Sequence, residues 1–197
     1  QVVQFQFALR AVAHPFPLAH SHGLRRTAFV EFPIQECMLL LVVVEGPIGV
    51  GKTSLARRLG MSIGAHLLLE QPEANPFLAR FYREPARHAL ATQLFFLFQR
   101  IQQLTELRQP DLFRTHVVGD FLLEKDPLFA RLTLADDELR LYEQLYAQLA
   151  PRAPAPDLVI YLQAPAETLI ERIARRGNPD ESAIGEAYLC RLVESYA

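Results

Sequence analysis

A phosphate-binding loop is the feature that most limits what this chain can fold into. It matches every position of the pattern GxxxxGK[ST], with the residues Gly46, Pro47, Ile48, Gly49, Val50, Gly51, Lys52 and Thr53. In such a loop glycines let backbone N–H groups surround a phosphate, the lysine adds a positive charge, and the threonine hydroxyl can bind Mg²⁺. The loop, with the adjacent Ser54, therefore predicts a nucleotide-binding site.

The flanking segments support this interpretation. Residues 39–44 are all apolar and half of them are valine, which is typical of a strand buried on both faces. Residues 53–59 have the pattern of a helix. The alternative, a glycine-rich surface turn, requires neither element, so the strand and the helix favour a functional loop.

Size and composition predict one α/β domain. The chain has 197 residues, is 50% hydrophobic, and balances 20 basic against 22 acidic side chains. The sequence has no dense run of basic residues of the kind that would suggest a nucleic-acid partner. Its longest apolar stretch, residues 38–44, is too short to span a membrane. Cys37 and Cys190 lack the spacing of metal ligands, which suits a reducing cytoplasm, and we expect a cytoplasmic protein.

Both ends of the sequence are unusual. Residues 1–37 begin with Gln1, contain several prolines and histidines, and have no clear period, so we interpret them as a poorly ordered extension upstream of a start at Met38. Their arginines and few acids also allow a transit peptide as an alternative. Because the sequence stops within a helical pattern, we expect residues 38–197 to be one folded domain that is truncated at its C-terminus.

Strand and helix patterns alternate after the loop, which predicts a parallel sheet with helices on both faces. Further strands are expected at residues 65–69, 116–118 and 158–162, so that four strands are visible. A fifth, truncated strand is implied only by the family resemblance given below. A long, largely apolar helix begins at Pro85 and must end before Pro110, and an amphipathic helix covers residues 139–149. The predicted fold is a three-layer α/β sandwich.

Two carboxylates follow predicted strands, at the sheet edge where such folds carry their chemistry. Glu70 can take a proton from a hydroxyl that attacks the γ-phosphate, and Asp120 can hold Mg²⁺ together with Thr53. A solvated carboxylate at a strand end is the alternative for each. The phosphate-binding loop favours the functional interpretation.

Gln93 and Arg100 are seven residues apart, so they project from one face of the long apolar helix. Burying either without a partner costs about 1 to 3 kcal/mol, so both must meet polar groups. Arg100 can pair internally with Asp120 or Asp126. Alternatively, Gln93 reads the edge of a nucleobase while Arg100 orients a carboxylate.

These residues are part of a wider resemblance. The chain resembles the deoxynucleoside kinases, particularly the bacterial deoxyadenosine and deoxyguanosine kinase branch, over nearly all of residues 38–197. The resemblance is carried by residues 45–54, by Asn75, Pro76, Phe77, Phe81 and Tyr82, and by Thr92, Gln93, Leu94, Phe95, Phe96, Leu97, Gln99 and Arg100. Its most specific part is the spacing of Tyr82, Gln93 and Arg100.

The resemblance implies roles for these side chains. Glu70 is similar to the catalytic base, Gln93 to the residue that pairs with the base, and Tyr82 to the partner of the sugar 3′-hydroxyl. Asp120 is similar to the acid that follows the third strand, and Asp126 to the carboxylate beside Arg100. Glu181 is similar to a second partner of the 3′-hydroxyl. The basic lid over the phosphates is implied to consist of Arg172, Arg175 and Arg176.

The sequence departs from the family at two positions. Phe121 stands where an arginine commonly follows the acid, which puts phosphate contacts from that element in doubt unless Lys125 substitutes. Asn178 stands where a further lid arginine is often found.

The implied activity is the Mg²⁺-dependent transfer of a phosphate from ATP to the 5′-hydroxyl of a deoxyribonucleoside, by a homodimer. In this hypothesis Lys52, Arg172 and Arg176 stabilise the transferring phosphoryl group, and Phe95, Phe96 and Phe98 flank the base. A nucleoside monophosphate kinase of the thymidylate kinase type and a non-catalytic nucleotide-binding fragment are the alternatives.

Overall fold

The computed structural model describes residues 4–9, 40–107, 116–178 and 184–196. The strands of its sheet are β1 (Gln4–Leu9), β2 (Leu40–Glu45), β3 (His66–Leu68), β4 (His116–Gly119) and β5 (Leu158–Gln163). Their order is β1-β5-β2-β4-β3. The pairs β5–β2, β2–β4 and β4–β3 are parallel, so the four strands predicted from the sequence form one parallel sheet with β2 near its centre.

The helices cover both faces of this sheet. They are α1 (Lys52–Ile63), α2 (Leu78–Arg83), α3 (Pro85–Glu106), α4 (Asp126–Thr133), α5 (Asp136–Leu149), α6 (Ala166–Arg176) and α7 (Glu186–Tyr196). None of the described helices is long and apolar enough to cross a bilayer.

Alternate residues of β2 belong to two different hydrophobic clusters, because successive side chains of a strand point to opposite faces. Leu41 and Val43 pack in a cluster with Leu97 of α3 and Tyr142 of α5. Val42 and Val44 pack in the other, which includes residues of α1 and α6. This double burial explains why the strand before the loop has no polar residue until Glu45, and it confirms the predicted layers.

The long helix α3 begins at Pro85, as predicted. Proline is tolerated at the first helical position because its missing N–H would have no intrahelical partner there. The helix ends at Glu106, and Pro110 lies outside the described residues.

One element differs from the sequence prediction. Within residues 1–37, which we expected to be poorly ordered, Gln4–Leu9 forms β1 and pairs antiparallel with β5, Gln4 opposite Gln163 and Leu9 opposite Leu158. The edge of β5 offers unpaired backbone N–H and C=O groups, and an added strand satisfies them. The alternation of Phe5, Phe7 and Leu9 with glutamine and alanine is the pattern in the sequence that indicates this strand.

Candidate active site

A cavity of about 590 Å³ lies at the carboxyl ends of the central strands. It is lined by the phosphate-binding loop and by most of the side chains proposed from the sequence: Lys52, Thr53, Ser54, Glu70, Tyr82, Gln93, Arg100, Asp120, Asp126 and Arg176. Lys52 and Arg176, which are 124 positions apart in the sequence, thus line the same cavity. Such convergence is expected at the edge of the sheet where the parallel strands end.

The phosphate-binding loop depends on glycine at its first position. Gly46 has φ 151°, and a Cβ there would lie 2.4 Å from the backbone oxygen of Leu162 in β5. The Lys52 ammonium donates to the carbonyl oxygens of Gly46 at 2.8 Å and Pro47 at 3.3 Å, so it lies across the loop. The close packing of the loop against β5 keeps Lys52 at the mouth of the cradle.

Thr53 and Asp120 lie together at the ends of the loop and of β4. The Thr53 hydroxyl donates to Asp120 Oδ2 at 2.5 Å, and the Glu70 N–H donates to Oδ1 at 2.7 Å. Burial raises the pKa of Asp120, and these two hydrogen bonds oppose that rise. Adjacent hydroxyl and carboxylate oxygens are the donors that Mg²⁺ prefers, so the pair fits the predicted metal role. Within the described residues, no three His, Cys, Asp or Glu side chains form a metal-binding group.

Arg100 bridges two carboxylates. Its Nη2 donates to Glu70 Oε1 and its Nη1 pairs with Asp126 Oδ1, so of the two internal partners considered above, Asp126 is the one it meets. The Asp126 side chain is fully buried, and its Oδ2 accepts from the Tyr142 hydroxyl at 2.6 Å. The Glu70 side chain stays 24% exposed, and its carboxylate is held facing the cavity by a positive charge.

Gln93 lies one helical turn from the aromatic ring that supports this bridge. The Arg100 guanidinium lies over the ring of Phe96, with its Cζ 5.1 Å from the ring centroid. Gln93 is 5% exposed and donates from Nε2 to the Thr133 hydroxyl at 3.2 Å. Both predicted polar residues of α3 therefore line the cavity, and each has a polar partner.

The aromatic walls differ in part from the sequence prediction. Phe96 lines the cavity, but Phe95 does not, and Phe98 is 51% exposed. Five residues along a helix turn the side chain by about 140°, which carries Phe98 away from the face of Gln93. Other rings supply the walls, and they are Phe81, Phe121, Phe129, Tyr188 and Tyr196.

Glu45 is a buried residue whose role the sequence analysis missed. Its Oε1 accepts from the Gly46 N–H at 2.7 Å and from the Tyr196 hydroxyl at 2.9 Å, and its Oε2 accepts from the Leu122 N–H at 2.7 Å. Burial raises its pKa, and the nearby Lys52 charge opposes that rise. Glu45 thus ties the loop to the segment after β4 and to α7. The signal for this role in the sequence was the position of Glu45, an acidic residue at the end of an otherwise apolar strand.

The remaining predicted residues have mixed outcomes. The Lys125 ammonium lies 5.7 Å from the ring centroid of Tyr161 and 5.0 Å from that of Tyr196, and Lys125 does not line the cavity. These contacts do not support its substitution for the arginine that Phe121 replaces. Arg172 donates to the Val50 carbonyl of the loop at 3.0 Å. Arg175 is exposed and does not line the cavity. Glu181 lies outside the described residues.

Comparison with known proteins shows the family of this chain. The family model described as "Deoxynucleoside kinase" matches residues 42–197. The chain belongs to the deoxynucleoside kinase family. A deoxyguanosine kinase of Bacillus subtilis (strain 168) is 35% identical over 156 residues, which cover 79% of this chain and 75% of the relative. A deoxyadenosine kinase of Lactobacillus acidophilus is 28% identical over 173 residues, which cover 81% of this chain and 79% of the relative.

Solved structures of the family have the same fold. A deoxyadenosine kinase from M. mycoides, with the products dCMP and a flexible dCDP bound, superposes with a TM-score of 0.72. It is 25% identical, and the match covers 80% of this chain and 81% of the other. The predicted α/β fold, the family and the kinase activity are therefore confirmed.

Proposed function

We propose that this protein transfers the γ-phosphate of ATP to the 5′-hydroxyl of a deoxyribonucleoside. The observation that carries the proposal is the Glu70 carboxylate, held by Arg100 in the same cavity as the phosphate-binding loop and Gln93. A base for an alcohol thus lies beside a cradle for the donor phosphates. We expect the reaction to take place in the cytoplasm and the protein to be a homodimer.

On the donor side, the backbone N–H groups of the loop and the Lys52 ammonium bind the β- and γ-phosphates. Thr53 and Asp120 would hold Mg²⁺, which when bound neutralises charge on the phosphates. Arg172, which donates to the Val50 carbonyl of the loop, and Arg176, which lines the cavity, are the proposed lid residues that would supply cations to the transferring group.

On the acceptor side, Gln93 pairs with the base between Phe96 and the other rings. Tyr82 binds the 3′-hydroxyl, with Glu181 as its predicted second partner. Glu70 takes the proton of the 5′-hydroxyl as that oxygen attacks the γ-phosphorus. Because Arg100 donates to Oε1 of Glu70, it fixes the direction of the carboxylate.

The Glu70→Gln variant tests the base assignment. Glutamine keeps the shape but cannot accept the proton, so turnover should fall by about 10²- to 10⁴-fold while ATP affinity is retained. Glu84→Gln is the matched control, because Glu84 is exposed and its carboxylate forms an ion pair with the exposed Arg87. Glu73, which follows in the same segment, is the competing base. If Glu73→Gln abolishes turnover and Glu70→Gln does not, the assignment is wrong.

A second measurement separates the proposal from its alternatives. Nucleosides and nucleoside monophosphates are supplied side by side with ATP, and product formation is followed for each. Phosphorylation of nucleosides alone supports the proposal, and phosphorylation of monophosphates alone indicates a kinase of the thymidylate kinase type. ATP binding without any product indicates a non-catalytic nucleotide-binding protein.

A further inference from the structure

Gln93 does not present its amide to the cavity freely. Its Nε2 lies 3.2 Å from Oγ1 of Thr133, the last residue of α4, and Gln93 itself is 5% exposed. Thr133 is half-buried and does not line the cavity, so it lies behind the amide rather than beside the substrate.

The hydroxyl of Thr133 can only accept from this amide. Its one proton is donated to the carbonyl oxygen of Phe129, four residues earlier in α4, at 2.8 Å. A hydroxyl has one proton and two lone pairs, so the group that approaches it from Gln93 must be the NH₂ and not the oxygen. One amide N–H of Gln93 is thus used by Thr133, and the amide oxygen and the second N–H remain for a ligand.

The orientation of an amide matters because nucleobases present two opposite patterns. Adenine and cytosine place an amino donor beside a ring-nitrogen acceptor, whereas guanine, hypoxanthine, thymine and uracil place a carbonyl acceptor beside a ring N–H donor. An amide that rotates by 180° can pair with either pattern. An amide that is held in one orientation can match only one of them for a base in a given position.

We propose that Thr133 is a positioning residue that fixes the Gln93 amide and thereby makes the enzyme discriminate between amino and oxo bases. This inference rests on the proposed function, in which Gln93 pairs with the base. It assigns substrate selection to a residue that does not touch the substrate.

Two pairs of substrates isolate this effect, because the members of each differ only in the pattern. Deoxyadenosine is compared with deoxyinosine, and deoxycytidine with deoxyuridine, and kcat/KM is measured for the wild type, Thr133→Val and Thr133→Ser. In the pair that is used faster, the wild type should prefer one member by at least about tenfold. Valine keeps the shape but cannot accept, so the preference should shrink by about three- to tenfold. Serine keeps the hydroxyl, so its ratio should stay within about twofold of the wild type.

The outcomes separate this inference from the function on which it rests. If the wild type phosphorylates no deoxynucleoside, the proposed function fails. If it is active but uses both members of each pair equally, or if Thr133→Val keeps the wild-type ratio, Thr133 does not act in this way. A loss of activity in Thr133→Val from a general packing defect would lower both substrates together and leave the ratio unchanged, which would also overturn the inference.

Discussion

Replacing Arg100 by methionine tests whether the buried ion pair is organised as the structure describes. The Asp126 side chain is 0% exposed and the Arg100 side chain is 11% exposed, so the variant leaves a carboxylate buried without its cation. Breaking a buried pair in this way costs about 3 to 5 kcal/mol. We expect about 3 kcal/mol, at the lower end of this range, because the Tyr142 hydroxyl still donates to Asp126.

The free energy of unfolding is measured by urea titration, followed by circular dichroism. Arg131→Met is the matched control, since Arg131 and Glu143 form an ion pair at 3.6 Å whose side chains are 66% and 46% exposed. An exposed pair contributes at most about 1 kcal/mol, so the control should lose no more than that.

The double variant Arg100→Met with Asp126→Leu removes both charges. Its stability should return to within about 2 kcal/mol of the wild type, with the Tyr142 hydroxyl now lacking its acceptor. Its turnover should stay low, because Glu70 has lost the guanidinium that orients it. The reasoning is refuted if Arg100→Met costs no more than Arg131→Met, or if the double variant is no more stable than the single one.

Two further predictions concern the strand β2 and its loop. Gly46→Ala should weaken ATP binding by at least about tenfold in calorimetric titration, because its Cβ would meet the backbone of β5 at 2.4 Å. Gly64→Ala is the control, because Gly64 has φ 65° and open space around it. This variant should lose only about 1 to 2 kcal/mol of stability and keep the wild-type affinity for ATP. Equal ATP affinities of Gly46→Ala and Gly64→Ala would contradict the argument. Burial raises the pKa of Glu45 above its ordinary value of 4.5, so the folded state holds the Glu45 proton more tightly than the unfolded state does. The stability that this proton contributes is therefore fully present below pH 4.5 and is lost as the pH rises through the folded-state pKa. Glu45→Gln should therefore lose less stability between pH 4.5 and pH 8 than the wild type in urea titrations, and parallel profiles would show that Glu45 is not the group responsible.

The sequence predicted those features that depend on local pattern. The loop of Gly46 to Thr53 is recognised because its glycines, lysine and threonine are consecutive. The seven-residue spacing of Gln93 and Arg100 implies one helix face, and the ends of apolar runs located Glu70 and Asp120. Each of these signals arises from backbone geometry, which repeats every 2 or 3.6 residues and can be recognised without knowing the tertiary structure.

Only the tertiary structure decided which side chains meet. Arg100 forms ion pairs with Asp126 and Glu70 rather than with Asp120. Glu45 accepts a hydrogen bond from the hydroxyl of Tyr196, which lies 151 residues later in the sequence. Phe98 points to solvent although Phe96 lines the site. Such pairings depend on how α3, α4 and α7 pack over the sheet, and contacts between distant segments leave no periodic trace in the sequence.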